Sequence, residues 1–378
     1  MSRLRFHCHQ IIKQICYKFV FPAFYCACRV IAVEKGLIVF ADAHSRTMPS
    51  AMKRLYQALS RRGDCKIRCC FIDGAQASAL SLTCFYLHFI HLYAQAHGVV
   101  LRDYFLPVSS CPKREKTVVI QLWHGYGLFK KIGCDAAEDM PRGALSSPMR
   151  YCNLVTVSAD LCIPYYARAW NADPHKISAL GVSQTDFYFD QAFIQRAREN
   201  FFRNYPDMQG KKILLWAPTV RENAACPELQ PGLAEMRELE NKLSPPWKVL
   251  IRLHSHAREK EENQWSRQPL EELLPLVDLL ITDYSSILFD FAFFSKPVIF
   301  FMPDLSRYLA QRGLYISPRE LPGPIVTDPA KLPQYISQAE AGFDSERMTA
   351  FRNKYSYACD GRSTERIMAR LYAEMGYK

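Results

Sequence analysis

Several signatures of metal-binding and redox proteins are absent from this chain of 378 residues. Its 14 cysteines include no CxxC pair, which excludes the usual spacing of a zinc site and of a thioredoxin-like redox motif. The sequence also has no P-loop and no cluster of metal-ligating residues. We therefore predict no bound metal and no other cofactor, and leave open a metal that arrives with a substrate. The cysteines are predicted to be reduced, as in a cytosolic protein.

Apolar runs long enough to cross a bilayer are absent as well. Within residues 1–34, Pro22 and Arg29 interrupt the apolar stretch. The segment instead has apolar residues at helical spacing and basic residues elsewhere on the helix, which predicts an N-terminal amphipathic helix. Such a helix can lie in a membrane interface or pack on the protein's own core. A cleaved secretory signal is a third alternative.

What the sequence does have is positive charge, with a formal net charge of +11. This charge favours acidic partners, such as a nucleotide, a phosphate polymer, a nucleic acid or an anionic membrane surface. The basic residues are scattered and form no aromatic-basic recognition motif, which argues against a nucleic-acid partner. The oligomeric state is left open.

Alternating strand and helix patterns predict an α/β fold with parallel sheets. In the first half, strands are predicted at 37–41, 66–72 and 117–122, separated by helices. The alternation resumes at residue 212, after a hinge-like segment at 206–210. We therefore predict two domains, 35–205 and 206–378.

The most informative stretch runs from Val277 to Phe301 and reads as strand, polar turn, helix and strand. Its turn, Thr282 to Ser286, would lie at the carboxyl end of a strand and the amino end of a helix. Free N–H groups there suit a diphosphate. The alternative is a helix cap provided by Ser285 or Ser286 and nothing more.

Three further polar clusters follow predicted strands. His124 stands between Trp123 and Gly125, and histidine is the side chain best suited to proton transfer near neutral pH. The other two clusters lie at Thr219 and at His254. Carboxyl ends of parallel strands form the ligand-binding edge of open α/β sheets. These clusters therefore predict a site, although a histidine that only stabilises a loop is the alternative for His124.

Together these motifs resemble the CDP-glycerol glycerophosphotransferase family, which contains the teichoic-acid primases and polymerases. They occur in this order: Trp123-His124-Gly125 with Lys131 and Gly133, Ala217-Pro218-Thr219 with Arg221, Arg252-Leu253-His254, Asp278 to Ser286, and Arg312-Gly313. The resemblance covers about residues 35 to 375. It departs from the family pattern at Tyr126-Gly127, where the familiar motif has Thr-Pro, and at Ser255-His256, where proline usually follows the histidine.

The resemblance implies a GT-B-like fold, with two Rossmann-like domains facing a central cleft. The C-terminal domain would hold the donor nucleotide and the N-terminal domain the acceptor. The catalytic residues implied are His124 and His254, with Lys131 as a possible phosphate contact. The donor-binding residues implied are Thr219, Arg221, Arg252, Thr282, Asp283, Ser285 and Ser286.

The implied reaction transfers glycerol phosphate, or a related alditol phosphate, from a CDP-activated donor to a hydroxyl of a lipid-linked or polymer acceptor. CMP is released, and the product is a cell-wall or capsule polymer. His124 would be the general base, and His254 with Arg252 would stabilise the diphosphate or protonate the leaving CMP. His256 is an alternative to His254. A lipid-linked acceptor implies a peripheral protein on the cytoplasmic face of the cell membrane.

Three other functions are left open by the sequence. A GT-B glycosyltransferase or epimerase would use a nucleotide sugar in the same kind of fold. A capsule polymerase would join glycerol phosphate to sugars. A catalytically silent, membrane-associated scaffold is the third, and the intact His124, His254 and Asp-Tyr-Ser-Ser sequence argue against it.

Overall fold

The computed structural model describes residues 14–136, 147–219, 230–253 and 268–377. The chain forms two compact units. Unit 1 contains Met1–Gly125, Arg142–Asp186 and Ala358–Lys378, and unit 2 contains Tyr126–Pro141 and Phe187–Tyr357.

Unit 1 is built on a parallel sheet of six strands, as the α/β alternation predicted. The strands are β1 (Leu37–Asp42), β2 (Lys66–Phe71), β3 (Gly98–Leu101), β4 (Val118–Gln121), β5 (Leu154–Thr156) and β6 (Ile177–Ser178). Their order in the sheet is β2-β1-β3-β4-β5-β6. The register pairs Ala41 with Leu101 and Leu101 with Gln121, so the loops that follow β1, β3 and β4 leave the sheet side by side.

The rest of the described part of unit 1 is mainly helical, including its N-terminal segment. They span Phe21–Cys28, Ser50–Arg62, Ala79–Gln95, Leu106–Ser110, Ile163–Trp170 and Ser363–Glu374. Leu55 and Leu371, from two of these helices, pack with Ile38 and Phe40 of β1 in one fully buried cluster. Each such buried side chain stabilises the fold by about 1.5–3 kcal/mol. The contacts fix β1, and therefore the loop that follows it.

Unit 2 contains a second parallel sheet, of five strands. They are β7 (Lys212–Ala217), β8 (Trp247–Ile251), β9 (Leu279–Thr282), β10 (Val298–Phe301) and β11 (Ile325–Val326), in the order β11-β10-β9-β7-β8. The helices of the described part of unit 2 span Gln191–Asn204, Leu233–Leu239, Leu270–Leu273, Ile287–Phe291, Leu305–Gln311, Leu332–Ala341 and Ser345–Ser356. The predicted strand, turn, helix and strand of residues 277–301 are confirmed, with the buried strand β9 at the centre of the sheet.

The structure divides the chain at different points from the predicted boundary between residues 205 and 206. Residues 187–205 belong to unit 2, where the buried Tyr188 hydroxyl donates to Asp290 Oδ1 at 2.8 Å. The last helix belongs to unit 1, where the Asp186 carboxylate accepts the N–H groups of Ser363 and Thr364 at 3.1 and 2.7 Å. Both assignments depend on contacts between residues far apart in sequence, which local patterns do not reveal.

The N-terminal segment is helical from its first described residues, with a π-helical turn at Cys16–Val20 followed by the α-helix Phe21–Cys28. One face packs on unit 1, because Tyr25 stacks on Tyr93 with ring centroids 5.2 Å apart and Phe21 packs edge-on against Tyr86. The opposite face leaves Phe19 67% exposed. Packing on the core therefore accounts for one side of the predicted amphipathic helix. None of the described helices combines the length and hydropathy that crossing a membrane requires.

Candidate active site

His124 lies in the loop directly after β4, in unit 1, with its side chain 44% exposed. The preceding residue, Trp123, has a φ of 45°, a left-handed conformation that is rare for a bulky side chain and costs free energy. Local contacts compensate. The Trp123 main-chain N–H donates to Gln121 Oε1 at 3.2 Å, and its indole Nε1–H donates to the Gly125 carbonyl oxygen at 3.0 Å. The left-handed φ of Trp123 thus turns the main chain immediately before His124, the predicted catalytic histidine.

Buried aromatic rings support this turn. The Trp123 indole packs edge-on against Trp170, which stacks on Tyr166 with an interplanar angle of 8°. The Trp170 Nε1–H donates to the Tyr104 hydroxyl at 2.8 Å, and the Tyr166 hydroxyl donates to the Gly125 carbonyl oxygen at 3.0 Å. Aromatic packing and hydrogen bonds from these rings therefore support the loop that carries His124.

A carboxylate contacts His124 from the neighbouring loop. Asp103 follows β3, and its Oδ2 lies 3.2 Å from His124 Nδ1. Its position is fixed twice, because Oδ1 accepts the Tyr104 N–H at 2.6 Å and the main-chain oxygen accepts Gln121 Nε2–H at 2.9 Å. Gln121 therefore ties the Asp103 loop to the Trp123 turn. Histidine and carboxylate are held together by the main chain of adjacent strands.

A second histidine lies on the same carboxylate. His44 follows β1, and its Nδ1 lies 3.6 Å from Asp103 Oδ2 and 3.7 Å from Asp42 Oδ1. Contact with Asp42 raises the pKa of His44 from its ordinary value, partly opposed by desolvation. Burial by itself would raise the pKa of Asp42, but His44 and the Arg102 guanidinium, whose Nε is 3.1 Å away, together hold it below its usual range.

Asp103 and His44 were not predicted from the sequence. The rule that finds functional residues at strand ends could have identified His44, which lies just beyond the predicted strand β1, but not Asp103, which lies just beyond β3. Strand β3 escapes prediction because it has only four residues, all apolar or glycine, and is separated by two residues from the end of the long apolar helix Ala79–Gln95.

In unit 2, the structure brings Thr219 and Asp283 together at the ends of β7 and β9. The Thr219 N–H donates to Asp283 Oδ1 at 2.8 Å, and the Tyr284 N–H donates to the same oxygen at 2.6 Å. The buried Thr282 hydroxyl donates to the Ala217 carbonyl oxygen at 2.7 Å. Asp283 and Thr282 thus organise the two loops through the main chain. Contact of either side chain with a donor stays a prediction.

Ser285 and Ser286 are the partly exposed residues of this turn. Ser285 Oγ accepts the Ile287 N–H at 3.4 Å, a long bond, whereas Ser286 occupies the N-cap position without a side-chain capping bond. Simple capping therefore explains little of the Ser-Ser pair. Behind them, Tyr284 stacks on Tyr308 with ring centroids 3.6 Å apart and donates its hydroxyl to Asp304 Oδ1 at 3.1 Å.

Lys131 lies in the segment that continues from Gly125 into unit 2. Its N–H donates to the Gly313 carbonyl oxygen at 3.2 Å, and Arg312 Nε–H donates to the Lys131 carbonyl oxygen at 3.1 Å. Gly127 in the same segment has a φ of 80°, and a Cβ there would lie 2.3 Å from the Phe289 ring. The structure thus joins two of the sequence motifs, Lys131 with Gly133 and Arg312-Gly313, in one antiparallel contact.

The remaining predicted site residues are less informative. One Nη–H of Arg252 donates to the Gln268 carbonyl oxygen at 2.5 Å, and burial lowers the pKa of this guanidinium, opposed by Glu271. Arg221, His254 and His256 lie outside the described residues. Across the described ranges, no group of three or more His, Cys, Asp or Glu side chains could hold a metal ion.

Comparison with known families identifies the chain. The model of the CDP-glycerol:poly(glycerophosphate) glycerophosphotransferase family matches residues 23–373. The chain belongs to this family. It is therefore a transferase, and the family's reaction, transfer of an alditol phosphate from a CDP-activated donor, is the one that the motifs implied. The nucleotide-sugar and scaffold alternatives are set aside.

Individual relatives are consistent with this assignment. The teichoic acid ribitol-phosphate primase of Bacillus spizizenii is 30% identical over 362 residues, which cover 89% of this chain and 91% of that protein. The teichoic acid poly(ribitol-phosphate) polymerase of the same organism is 26% identical over 91% of this chain, but only 57% of its own length is matched.

Solved structures confirm the fold. A variant of the wall teichoic acid polymerase TagF soaked with CDPG superposes with a TM-score of 0.76 at 19% identity, covering 98% of both chains. At this identity the similarity establishes the fold and no more. The predicted GT-B-like α/β architecture of two parallel sheets is confirmed.

Proposed function

We propose that this glycerophosphotransferase family member transfers an alditol phosphate from a CDP-alditol to a hydroxyl of a lipid-linked or polymer acceptor, releasing CMP. The observation that carries the proposal is the position of His124 at a strand end, beside a carboxylate. This histidine follows a central strand of unit 1 in a chain matched by the family model over residues 23–373, and its Nδ1 is 3.2 Å from a carboxylate. A histidine held in this way can take the proton of an attacking hydroxyl.

The donor is proposed to be CDP-ribitol or CDP-glycerol. The family model describes glycerol-phosphate transfer, whereas the relative that matches over 91% of its own length is a ribitol-phosphate primase. That relative also supports a primase-like catalytic module, which adds one or a few units. Long polymer products would instead support the polymerase alternative, including a capsule polymerase.

Phosphate binding is proposed for the unit 2 turn and its neighbours. Ser285 and Ser286 are partly exposed residues that carry hydroxyl groups, and Lys131 is held by the Arg312-Gly313 segment. Phosphoryl transfer depends mainly on positioning and charge stabilisation, which such groups provide. Arg221, Arg252 and His254 complete the proposed donor contacts on the basis of the family motif. No cofactor takes part in the proposed reaction.

The exposed face of the N-terminal helix is proposed to bind the cytoplasmic surface of the membrane. Phe19, Ile15 and Val20 are exposed on it at 67%, 49% and 43%, and the cationic Lys18 and Arg29 are exposed beside them. Exposed aromatic and aliphatic side chains next to lysine and arginine are typical of interfacial helices on anionic lipid. Such docking would bring the enzyme to a lipid-linked acceptor.

The proposal is tested by calorimetric binding of CDP-ribitol, CDP-glycerol, UDP-glucose and UDP-N-acetylglucosamine, followed by a CMP-release assay with the donor that binds. Binding of a CDP-alditol but not of the UDP-sugars, with CMP release that depends on the acceptor, is expected. If only a UDP-sugar binds, the proposed transfer is wrong.

A further inference from the structure

We propose that Asp103 is the positioning residue for His124, and that it fixes the tautomer in which Nε2 carries the lone pair and can act as the base. This inference rests on the proposed function, because it assumes that His124 takes the acceptor proton. Nothing in the family motifs points to Asp103. The observation behind it is the arrangement of the loops that follow β1, β3 and β4.

The geometry leaves one oxygen of Asp103 for the histidines. Oδ1 accepts the Tyr104 N–H at 2.6 Å, so the carboxylate cannot rotate without losing this bond. The main-chain oxygen of Asp103 is bound to Gln121 Nε2, and Gln121 is itself buried. Oδ2 is therefore held 3.2 Å from His124 Nδ1 by two bonds that do not involve the histidine.

An ionised carboxylate only accepts hydrogen bonds, so Nδ1 of His124 must carry the proton. The lone pair of the neutral ring is then on Nε2. When Nε2 takes the proton of the attacking hydroxyl, the ring becomes an imidazolium, and the Asp103 charge stabilises it. Serine proteases use a buried carboxylate in the same way to orient and stabilise their catalytic histidine.

His44 makes this arrangement a pair of histidines on one carboxylate oxygen. At 3.6 Å from Asp103 Oδ2 and 3.7 Å from Asp42 Oδ1, its Nδ1 lies between two carboxylates, and Arg102 balances Asp42. The positive charges of Arg102 and of a protonated His44 thus allow the Asp42 and Asp103 carboxylates to lie close together. A protonated His44 also partly neutralises the negative charge of Asp103 and so weakens its attraction for an imidazolium at His124. His44 therefore modulates the stabilisation that Asp103 provides.

The test is Asp103→Asn, which keeps the shape and changes one oxygen into an amide. The Tyr104 N–H needs an acceptor, so the Asn oxygen takes that position and the NH₂ group faces His124. The amide NH₂ group then donates to Nδ1, and the ring proton moves to Nε2. Nε2 can no longer accept the proton of the attacking hydroxyl. The kcat is expected to fall by ~100- to 10,000-fold, the typical contribution of a positioned base, with unchanged donor affinity.

The matched control is Asp173→Asn, also in unit 1. Asp173 Oδ1 accepts the His175 N–H at 2.9 Å at the start of a short helical turn, and asparagine keeps that acceptor. Wild-type kcat is expected. A readout that a merely structural role would not change is the ¹⁵N NMR spectrum of the histidines. His124 should carry its proton on Nδ1 in the wild type and on Nε2 in the Asp103→Asn variant.

The outcomes separate this inference from the proposed function. If His124→Ala is inactive but Asp103→Asn has a near-wild-type kcat, the positioning role is refuted while the base is retained. If His124→Ala is active, the base itself is refuted. If the variant does not fold, the wild-type spectrum still decides, because neutral His124 protonated on Nε2 would overturn the inference by itself.

Discussion

The main-chain N–H of Thr219 lies 2.8 Å from Oδ1 of Asp283, a contact that joins two family motifs across 64 residues of sequence. The same oxygen accepts the Tyr284 N–H at 2.6 Å, and Asp283 is almost completely buried. One carboxylate oxygen therefore holds the loops after β7 and β9 in their relative positions.

Replacing Asp283 by alanine should both destabilise unit 2 and weaken donor binding. The buried Tyr284 N–H and the partly buried Thr219 N–H would lose their acceptor, at about 1–3 kcal/mol each, so we expect the free energy of unfolding to fall by ~2–6 kcal/mol. Urea denaturation followed by donor calorimetry measures both effects. The control is Asp283→Asn, which keeps an acceptor oxygen and should lose less. Equal losses in the two variants would show that these hydrogen bonds are not what matters.

His124→Ala should abolish transfer and leave donor binding intact, because the donor contacts are proposed in unit 2 and His124 belongs to unit 1. A loss of ~100- to 10,000-fold in kcat is expected for a general base. CMP release and calorimetric titration of the donor measure the two quantities. The control is His175→Ala, an exposed histidine of the same unit. Near-wild-type turnover of the His124 variant would exclude it from the mechanism.

Gly127→Ala should destabilise unit 2 more than an ordinary glycine substitution. The residue has a φ of 80°, and a Cβ would lie 2.3 Å from the Phe289 ring. Left-handed backbone costs alanine about 1–2 kcal/mol, and displacing a packed ring costs a further ~1–3 kcal/mol. Gly210→Ala is the control, because Gly210 has a φ of 76° and a Cβ added there would meet nothing within 4 Å. Equal unfolding midpoints for the two variants would contradict the steric argument.

Phe19→Asp should reduce sedimentation with anionic vesicles. The side chain is 67% exposed, so the change should leave the fold intact while placing a charge at the proposed lipid contact. Deleting the whole segment is a poorer test, since it would remove the buried Phe21 and Tyr25. The control is Leu161→Asp, on another exposed apolar residue of unit 1. Unchanged sedimentation of the Phe19 variant would refute membrane docking by this face.

His44 should contribute to stability in a pH-dependent way. Because its folded pKa is raised, chiefly by Asp42, its contribution is fully present below its unfolded pKa of about 6.5 and is lost as pH rises through the folded pKa. Asp42 stays ionised in this window, since its own pKa is lowered. His44→Gln should therefore destabilise the protein more at about pH 5.5 than at about pH 9. Urea denaturation at both values is the measurement, with the exposed His175→Gln as control, and a loss independent of pH would contradict the assignment.

Local pattern was sufficient for much of the fold. The strand, turn, helix and strand of residues 277–301 were recognisable because a short apolar run, a polar turn and a proline stop each act over a few residues. His124 was recognisable for the same reason, as a polar residue at the end of an apolar strand. The family motifs extended this to the reaction class.

Tertiary structure alone decided which groups meet. Asp42, Asp103 and His124 lie near one another because β1, β3 and β4 are neighbours in the sheet, an order that no local pattern specifies. The last helix joins unit 1 because Asp186 binds its first N–H groups from 177 residues away. The sequence by itself determined most of the central elements, such as β1, β4 and β9, and the residue types at their ends, since these follow from short-range periodicity. The pairing of His124 with Asp103 required the order of the strands.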